Sequence, residues 1–458
     1  MKQRTRDLAL VSFVISTALA STGRAAESTA IDAEGCVRVA LRESAQLAQA
    51  EALVRQYEAR LALVESSFYP KLLGTTYLAP MFTVHGTALT QDVARQWKRP
   101  SDWGPYAHLE ALLAIPLYSF GRAEQGALAA RERAAVERAR ARQAENVVAL
   151  EVRKLYHLRL YPLSLLPALH SAAEMVAEAE ARGQELYEQA TGDVTQADLM
   201  KLRYAATEVA KFERMATDGA ALATSALKHT MGLADNEDVT FANEELPEMG
   251  EPSSPDSDLP ALLAEAARQR PEWEQLGHGD KAAAALIKSE AATSWPIVFL
   301  AGQLTADWTP QRDDGKNPYW FDPYNQVFGG VALGLRFDVD PAKTSALVEG
   351  AEATRDEVDA LRRFASTGIP LQVRKAQLDL EQQRALVELS TEGVKATRKW
   401  MAFAGAAYKT GTGEARDVLE GLVAYLQAKR GYYDALLAYH VSRAELAYAI
   451  GRAAQPTP

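Results

Sequence analysis

The chain holds seven histidines, at positions 85, 108, 157, 170, 229, 278 and 440, and one cysteine, Cys36. These side chains are scattered, with none of the His-x-x-x-His spacing that puts two imidazoles on one helix face for zinc. Gly277-His278-Gly279-Asp280 is the one local cluster. It lies in helix- or turn-forming sequence and reads as structural rather than as a metal or catalytic site. A single cysteine excludes an internal disulfide framework and a Cys-rich metal site. There is no G-x-S-x-G elbow, phosphate-binding loop or dinucleotide fingerprint, and no Met/His cluster suited to a soft metal. No catalytic residue, metal or cofactor is expected. Asp417 and Glu420, three apart, form a carboxylate pair on one helix face. By residue type alone they are the acidic start of a helix, which the macrodipole favours.

The 458 residues carry a formal net charge of -10, and 48% are hydrophobic and 24% charged. That balance fits a folded chain with a large core rather than a disordered one. It opposes general nucleic-acid binding, so no nucleic-acid partner is expected. The length allows two or three domains. Mean hydropathy is -0.20, and no segment beyond the N-terminus has eighteen continuous apolar residues, so the chain is not a helical polytopic membrane protein. Lys2, Arg4 and Arg6 precede an apolar run from Leu8 to Ala20. This reads as a signal peptide, residues 1–20, with an alternative cleavage after 26. The exported chain is then periplasmic, secreted, or a β-barrel in an outer membrane.

Internal duplication organises the rest. Tyr187–Gly192 recurs as Tyr408–Gly413, Ile115-Pro116-Leu117 aligns with Leu335-Arg336-Phe337, Leu227 and Gly232 match Leu446 and Gly451, and Tyr69-Pro70 matches Trp295-Pro296. The offsets run only from 219 to 226 and keep their order, which indicates two copies of one long unit. Each copy reads helix, strand, loop, strand, long helix, turn, long helix. The first repeat is placed at 27–233, a Pro/Ser-rich acidic linker or equatorial segment at 234–260, the second repeat at 261–452, and a tail at 453–458. Helices are expected over Val37–Ser67 and Leu259–Thr293. Helix hairpins are expected at about 122–231 and 343–450. Pro162 and Pro167 should interrupt and kink the first long helix, and Pro370 is a candidate bend in the second. A helix from Arg122 to Tyr187 is roughly 100 Å long, so it must pair lengthwise with another rather than wrap a compact core.

Four segments, about 69–84, 105–118, 295–308 and 326–338, alternate apolar and polar or small residues with period two. They are long enough to cross a bilayer at a tilt. Leu109, Leu113, Val298, Leu300, Val331 and Leu333 are expected on the lipid side. Trp97, Trp103, Tyr106, Trp308, Tyr319, Trp320, Phe321 and Tyr324 could form an aromatic girdle at the loop ends. Four strands cannot close a barrel, and an open sheet edge in lipid is prohibitive, so several chains must share one tube. The competing reading is a soluble periplasmic coiled-coil adaptor or scaffold, which explains the helices and not the strands.

This arrangement resembles the TolC family of outer-membrane efflux and type I secretion channels. The resemblance rests on the duplication, the element order, Tyr408-Lys409-Thr410-Gly411-Thr412 followed by Asp417-Val418-Leu419, Arg270-Pro271-Glu272, and the corner Pro116-Leu117-Tyr118 with Gly121-Arg122. It implies a mainly α fold with a small membrane β part, built from a duplicated helix–strand–strand–helix-hairpin unit. The assembly implied is a homotrimer in the outer membrane, with a twelve-stranded β-barrel continuous with a twelve-helix α-barrel that projects into the periplasm. It further implies that the hairpin tips, Ala190, Thr191 and Gly192 with Gly411, Thr412 and Gly413, dock a periplasmic adaptor linked to an inner-membrane pump. Asp417 and Glu420 would ring a lumen gate, and Tyr408 would link neighbouring hairpins when it is closed. Ala190 stands where the family usually has glycine, Gly413 where it often has a cation, and Gln196 where an acidic partner for the tyrosine would sit.

Overall fold

The computed structural model describes residues 30–86, 93–96, 98–189, 194–250, 258–311, 323–410 and 412–455. The signal segment and both of its cleavage points lie outside the described residues. The first repeat comprises α1 (Ala33–Glu43), α2 (Ala45–Glu65), β1 (Lys71–Gly86), β2 (Val93–Gln96), β3 (Trp103–Tyr118), α3 (Arg122–Glu188) and α4 (Gln196–Met231). The second comprises α5 (Leu259–Gln269), α6 (Pro271–Ala291), β4 (Ile297–Trp308), β5 (Gln326–Arg336), α7 (Pro341–Lys409) and α8 (Ala415–Ala449).

Three local expectations need correction. The leading helix of each repeat is broken, at Ser44 and at Arg270. Pro271 disfavours helical backbone at Arg270, and Arg270-Pro271 opens the second helix of its repeat, not the first. Pro162 and Pro167 do not interrupt α3, which runs unbroken for 67 residues. Each proline removes one ladder hydrogen bond. The helix persists because α1, α2, α4, α6 and α8 all pack along it. Ser164 sits between the two prolines and donates its hydroxyl to the Leu160 carbonyl at 2.9 Å. The short strand β2, paired to the end of β1, has no counterpart among the expected strands.

The main core lies where the short leading helices meet the middle of the long ones. It gathers Cys36, Val152, Tyr156 and Leu160 with Leu227, Met231, Val373, Leu436 and Leu446. The acidic segment after α4 is strapped across this core. Phe241 bridges Ile31 in parallel, Tyr156 donates to Asn243 Oδ1 at 2.8 Å, and the Leu246 amide donates to Ser164 Oγ at 2.8 Å. The C-terminal residues are held there too. Arg153, buried, donates to both carboxylate oxygens of Glu34 at 2.8 Å and also reaches the Ala453 carbonyl.

The strands form one antiparallel sheet in the order β2-β1-β3-β4-β5. Residues 71–82 of β1 pair with 103–114 of β3, β3 with β4 from Ala107↔Trp308 to Tyr118↔Val298, and β4 with β5 from Ile297↔Arg336 to Asp307↔Gln326. Among the described residues β5 has no neighbour on its far side.

Candidate functional site

Cross-strand partners in an antiparallel pair point to the same side, so this register assigns every strand residue to a face. One face reads Leu72, Leu78, Leu109, Leu113, Ile115, Val298, Leu300, Leu304, Val327, Val331, Leu333 and Leu335, with small residues between. All six residues expected on the lipid side are on it. It is bare: Leu78 is 82% exposed and Val331 77%. A water-soluble protein does not leave a continuous apolar sheet face uncovered.

The opposite face carries the polar groups. Asp307, itself buried, accepts a hydrogen bond from Tyr106 at 2.6 Å and lies 2.7 Å from His108 Nδ1. Gln303 donates to Glu110 at 3.2 Å, and Tyr77 stacks on His108. Tyr106 therefore does not belong to an outward girdle, and Tyr324, edge-on to it at 5.6 Å, is on the inner side too. Their hydroxyl and ring edges are satisfied by the polar face. Trp103 and Trp308 are exposed on the apolar face, as a girdle requires. Trp97, Tyr319, Trp320 and Phe321 lie outside the described residues.

A second aromatic group, which the sequence reading missed, rims the helical end of the sheet. Tyr69, Tyr118, Phe120 and Trp295 are exposed there. Phe120 lies between Tyr118, edge-on at 4.7 Å, and Trp295, stacked at 5.5 Å. This clamp holds Phe120 in the left-handed region, φ 52°, beside Gly121 at φ 89°, so the chain turns sharply from strand into helix. Ser119 caps that helix, accepting from the Ala123 amide at 3.0 Å. The repeated aromatic-Pro pairs at 69–70 and 295–296 were the available signal. Trp295 and Trp308 are thirteen residues apart. That is about 40 Å along a strand, or roughly 30 Å of height at a barrel tilt near 40°, the thickness of a bilayer core.

At the other end, both hairpins turn together. Ala190, Thr191, Gly192 and Gly411 lie outside the described residues. Thr412 and Gly413 close the α7 turn by donating their amides to the Ala407 carbonyl at 2.9 and 3.0 Å. Gly413 is crowded: a Cβ there would stand 2.8 Å from that of Ala407. Asp417 and Glu420 are both exposed in the first turns of α8, while Val418 and Leu422 bury the opposite side. Glu420 accepts from Arg416 at 2.7 Å. Tyr408 is packed with Ala179, Leu202 and Val418, which joins the two hairpins of one chain. Burial pushes its phenol above the usual tyrosine range. The link to Thr195 or Gln196 is not made. Thr195 is engaged in a capping box with Asp198, and among the described residues the Tyr408 hydroxyl has no hydrogen-bond partner. Beside it a groove of about 330 Å³ runs between α3 and the end of α7, lined by Met175, Arg182, Glu185, Gly405 and Lys409.

His278, on α6, is bound to Glu132 at 2.6 Å, and Asp280 to Arg355 at 3.1 Å. This cluster ties α6 to α3 and α7. Among the described residues no group of three or more His, Cys, Asp and Glu side chains is placed to hold a metal. No helix among them is long and apolar enough to cross a membrane.

Residues 262–452 match the family model "Outer membrane efflux protein". No curated protein matches by sequence. Among solved structures, the outer-membrane channel OprN is similar at TM-score 0.74 and 18% identity, covering 93% of this chain and 91% of that one. The CmeC outer membrane channel of Campylobacter jejuni is similar at 0.74 and 16%, covering 92% and 86%. The outer membrane protein VceC of Vibrio cholerae is similar at 0.72 and 16%, covering 92% and 96%. The second repeat carries the family match, and the solved outer-membrane channels share the fold of both repeats.

Proposed function

We propose that the chain is one protomer of the exit duct of a tripartite efflux pump or type I secretion system, set in the outer membrane with its helices in the periplasm. The bare apolar sheet face, bounded by two aromatic rims, carries this reading. A soluble coiled-coil scaffold has no use for such a face. The inner face, with its Tyr106–Asp307–His108 cluster, then lines the bore, and the chain is a conduit wall rather than an enzyme.

The sheet is open at β5 and must be completed by other copies, because unpaired strand edges are not tolerated in lipid. The helical layer is open as well. Helix contacts run in the order α4, α3, α8, α7, which leaves α4 and α7 at the edges. Each edge bears an exposed apolar stripe: Met200, Tyr204, Phe212, Met215 and Leu222 on α4, and Leu371, Leu378, Leu389, Trp400 and Phe403 on α7. One helix leaves the tip and the other reaches it, so the stripes match in antiparallel register, Met200 with Phe403, Phe212 with Leu389, and Leu222 with Leu378. This spacing supports a homotrimer closed by α4 of one copy against α7 of the next. The hairpin tips then face a periplasmic adaptor and its inner-membrane pump. Purified protein should require detergent, run as a trimer by native mass measurement, and conduct ions in a planar bilayer. A stable monomer released by carbonate would overturn the proposal.

A further inference from the structure

The unpaired edge of β5 and the open side of β1 have to meet between copies. Residues 71–82 of β1 pair only with β3, and β2 reaches only 83–86. One row of cross-strand partners runs Lys71, Ala114, Ala301, Ala332, and β5 continues four residues further, to Arg336. Lys71 and Arg336 are both on the polar face of the sheet and both exposed. A seam that keeps this face continuous pairs odd residues of β1 with even residues of β5. With the helical ends of the strands level, Arg336 of one copy stands opposite Lys71 of the next. The row then climbs four residues per copy, a shear of about twelve for twelve strands. That ratio equals the one that tilts strands by about 36° in an eight-stranded barrel of shear eight, within the range of membrane barrels. The same register sets Leu73 opposite Gly334, Tyr77 opposite Gly330 and Leu78 opposite Gly329, a large residue against a glycine each time. A slip of two residues sets Tyr77 on Phe328 in one direction and Leu73 on Arg336 in the other.

We propose that Arg336 and Lys71 of the next copy form an oxyanion site on the bore wall, one at each seam of a trimer. It would take the phosphate or carboxylate group of a solute passing from the helical tube into the barrel. The inference rests on the channel reading above. Like charges directly opposite each other disfavour a strand pair, and an anion between them removes that cost. Among the described residues neither cation makes an ion pair within its own chain. The carboxylates next along the sequence are taken: Asp338 by Lys343 at 3.2 Å, and Asp340 by the cap of α7. A guanidinium offers a flat fork of donors and an ammonium a compact charge, which together suit a phosphate or carboxylate. The height fits as well. Lys71 is two residues from Tyr69, and Arg336 pairs with Ile297, two residues from Trp295. The site is therefore level with the aromatic rim at the periplasmic boundary, where water fills the bore.

Two experiments test this. Residues directly opposite in an antiparallel pair lie within disulfide reach, so Lys71→Cys with Arg336→Cys should give covalently linked trimers on oxidation, with Cys36 too buried to compete. Lys71→Cys with Gly334→Cys should link far less. Preferential linking of the second pair, or of neither in an intact trimer, would overturn the seam. Calorimetric titration of the detergent-solubilised trimer with inorganic pyrophosphate then reads the site. Lys71→Gln and Arg336→Gln should each weaken binding about ten-fold or more, and Lys288→Gln, an exposed lysine on α6, should not. Equal binding by the unaltered protein and the double variant would overturn the site. Binding of a short-chain phosphatidic acid without binding of pyrophosphate would place these cations at the lipid surface and overturn their bore-facing role. A protein that is monomeric by native mass measurement overturns the channel reading itself, whereas a trimer that ignores pyrophosphate overturns this site alone.

Discussion

Gly232 lies against the carbonyl of Glu43, so close that a Cβ on the glycine would stand 2.1 Å from the oxygen. Its φ is 81°, and it ends α4 on the break between α1 and α2. The second repeat does the same. Gly451, at φ 86°, ends α8 on the break between α5 and α6, where a Cβ would stand 2.8 Å from the Gln269 carbonyl carbon. The end of each hairpin is seated on the kink of its own leading helix, so the kinks are part of the duplicated unit. Alanine at either site meets both a left-handed backbone and an immovable neighbour. Strain of that backbone alone costs of order 1–3 kcal/mol. Gly232→Ala and Gly451→Ala should each lower the melting temperature of the protein. Alanine at Gly277, which has open space around it, should not.

The alternation of the sheet yields a paired test. Val331 is on the bare apolar face, and its neighbour Ala332 on the polar one. Arginine at Val331 should reduce assembly by about 2–4 kcal/mol if the residue sits at mid-bilayer. Arginine at Ala332 should be tolerated. The measurement is the fraction of the proposed trimer recovered from outer membranes, and equal loss at both positions would contradict the two-faced sheet.

The parts of this fold that were legible in the sequence are those governed by strict periodicity. Period two over a dozen residues located the four long strands within a few residues, and put Leu109, Val331 and their companions on one face. The long hairpins followed from helix-forming composition. Places where tertiary contact overrides local preference were hidden. Proline predicts a break at 162 and 167, yet helices packed on α3 keep it continuous. Ser44 breaks a helix with no proline beside it, because Gly232 must seat there. Tyr106 has the residue type of a membrane girdle, but Asp307, two hundred residues away, holds it inward. That Asp417 and Glu420 share one side of α8 was legible from spacing, whereas the packing of Tyr408 against Ala179 and Leu202 joins two hairpins and could not be read from either segment.

His157 and His440 stack face to face in the main core with ring centres 4.5 Å apart. Their bonds go to backbone carbonyls, of Arg153 at 2.7 Å and of Pro247 at 2.8 Å. Burial first, and then the neighbouring imidazole, lowers the His157 pKa from 6.5 to about 4, and burial lowers that of His440. A histidine whose folded pKa is depressed contributes fully above pH 6.5, and its contribution is lost as pH falls toward 4. For His157 the full span corresponds to about 3 kcal/mol. Urea midpoints between pH 7 and 4.5 should therefore fall less steeply for His157→Phe than for the unaltered protein.

Cys36 is fully buried in the same core. Burial, and then the carboxylate of Asp32, pushes its thiol up to about 12. Thiolate is the reactive form, so the native protein should give no reaction with a disulfide reagent at pH 8. One equivalent per chain should appear only when the core opens. Reaction in step with the loss of helical circular dichroism would make Cys36 a reporter of unfolding, and prompt reaction of the folded protein would contradict its burial.

The two carboxylates proposed for the lumen gate should not contribute equally. Asp417 and Glu420 lie on the side of α8 away from its buried residues Val418 and Leu422, so threefold symmetry gathers six carboxylates if that side faces the bore. Arg416 changes this balance, because its guanidinium binds Glu420 at 2.7 Å and offsets that charge within the same chain. Among the described residues Asp417 makes no such ion pair. A ring of uncompensated carboxylates attracts cations and repels anions. Asp417→Asn should therefore reduce cation selectivity and cationic block in single-channel recordings more than Glu420→Gln does. Arg416→Gln, by freeing Glu420, should increase both. If all three variants leave the reversal potential unchanged, this side of α8 faces away from the bore, and the acidity at 417 and 420 serves only the start of the helix.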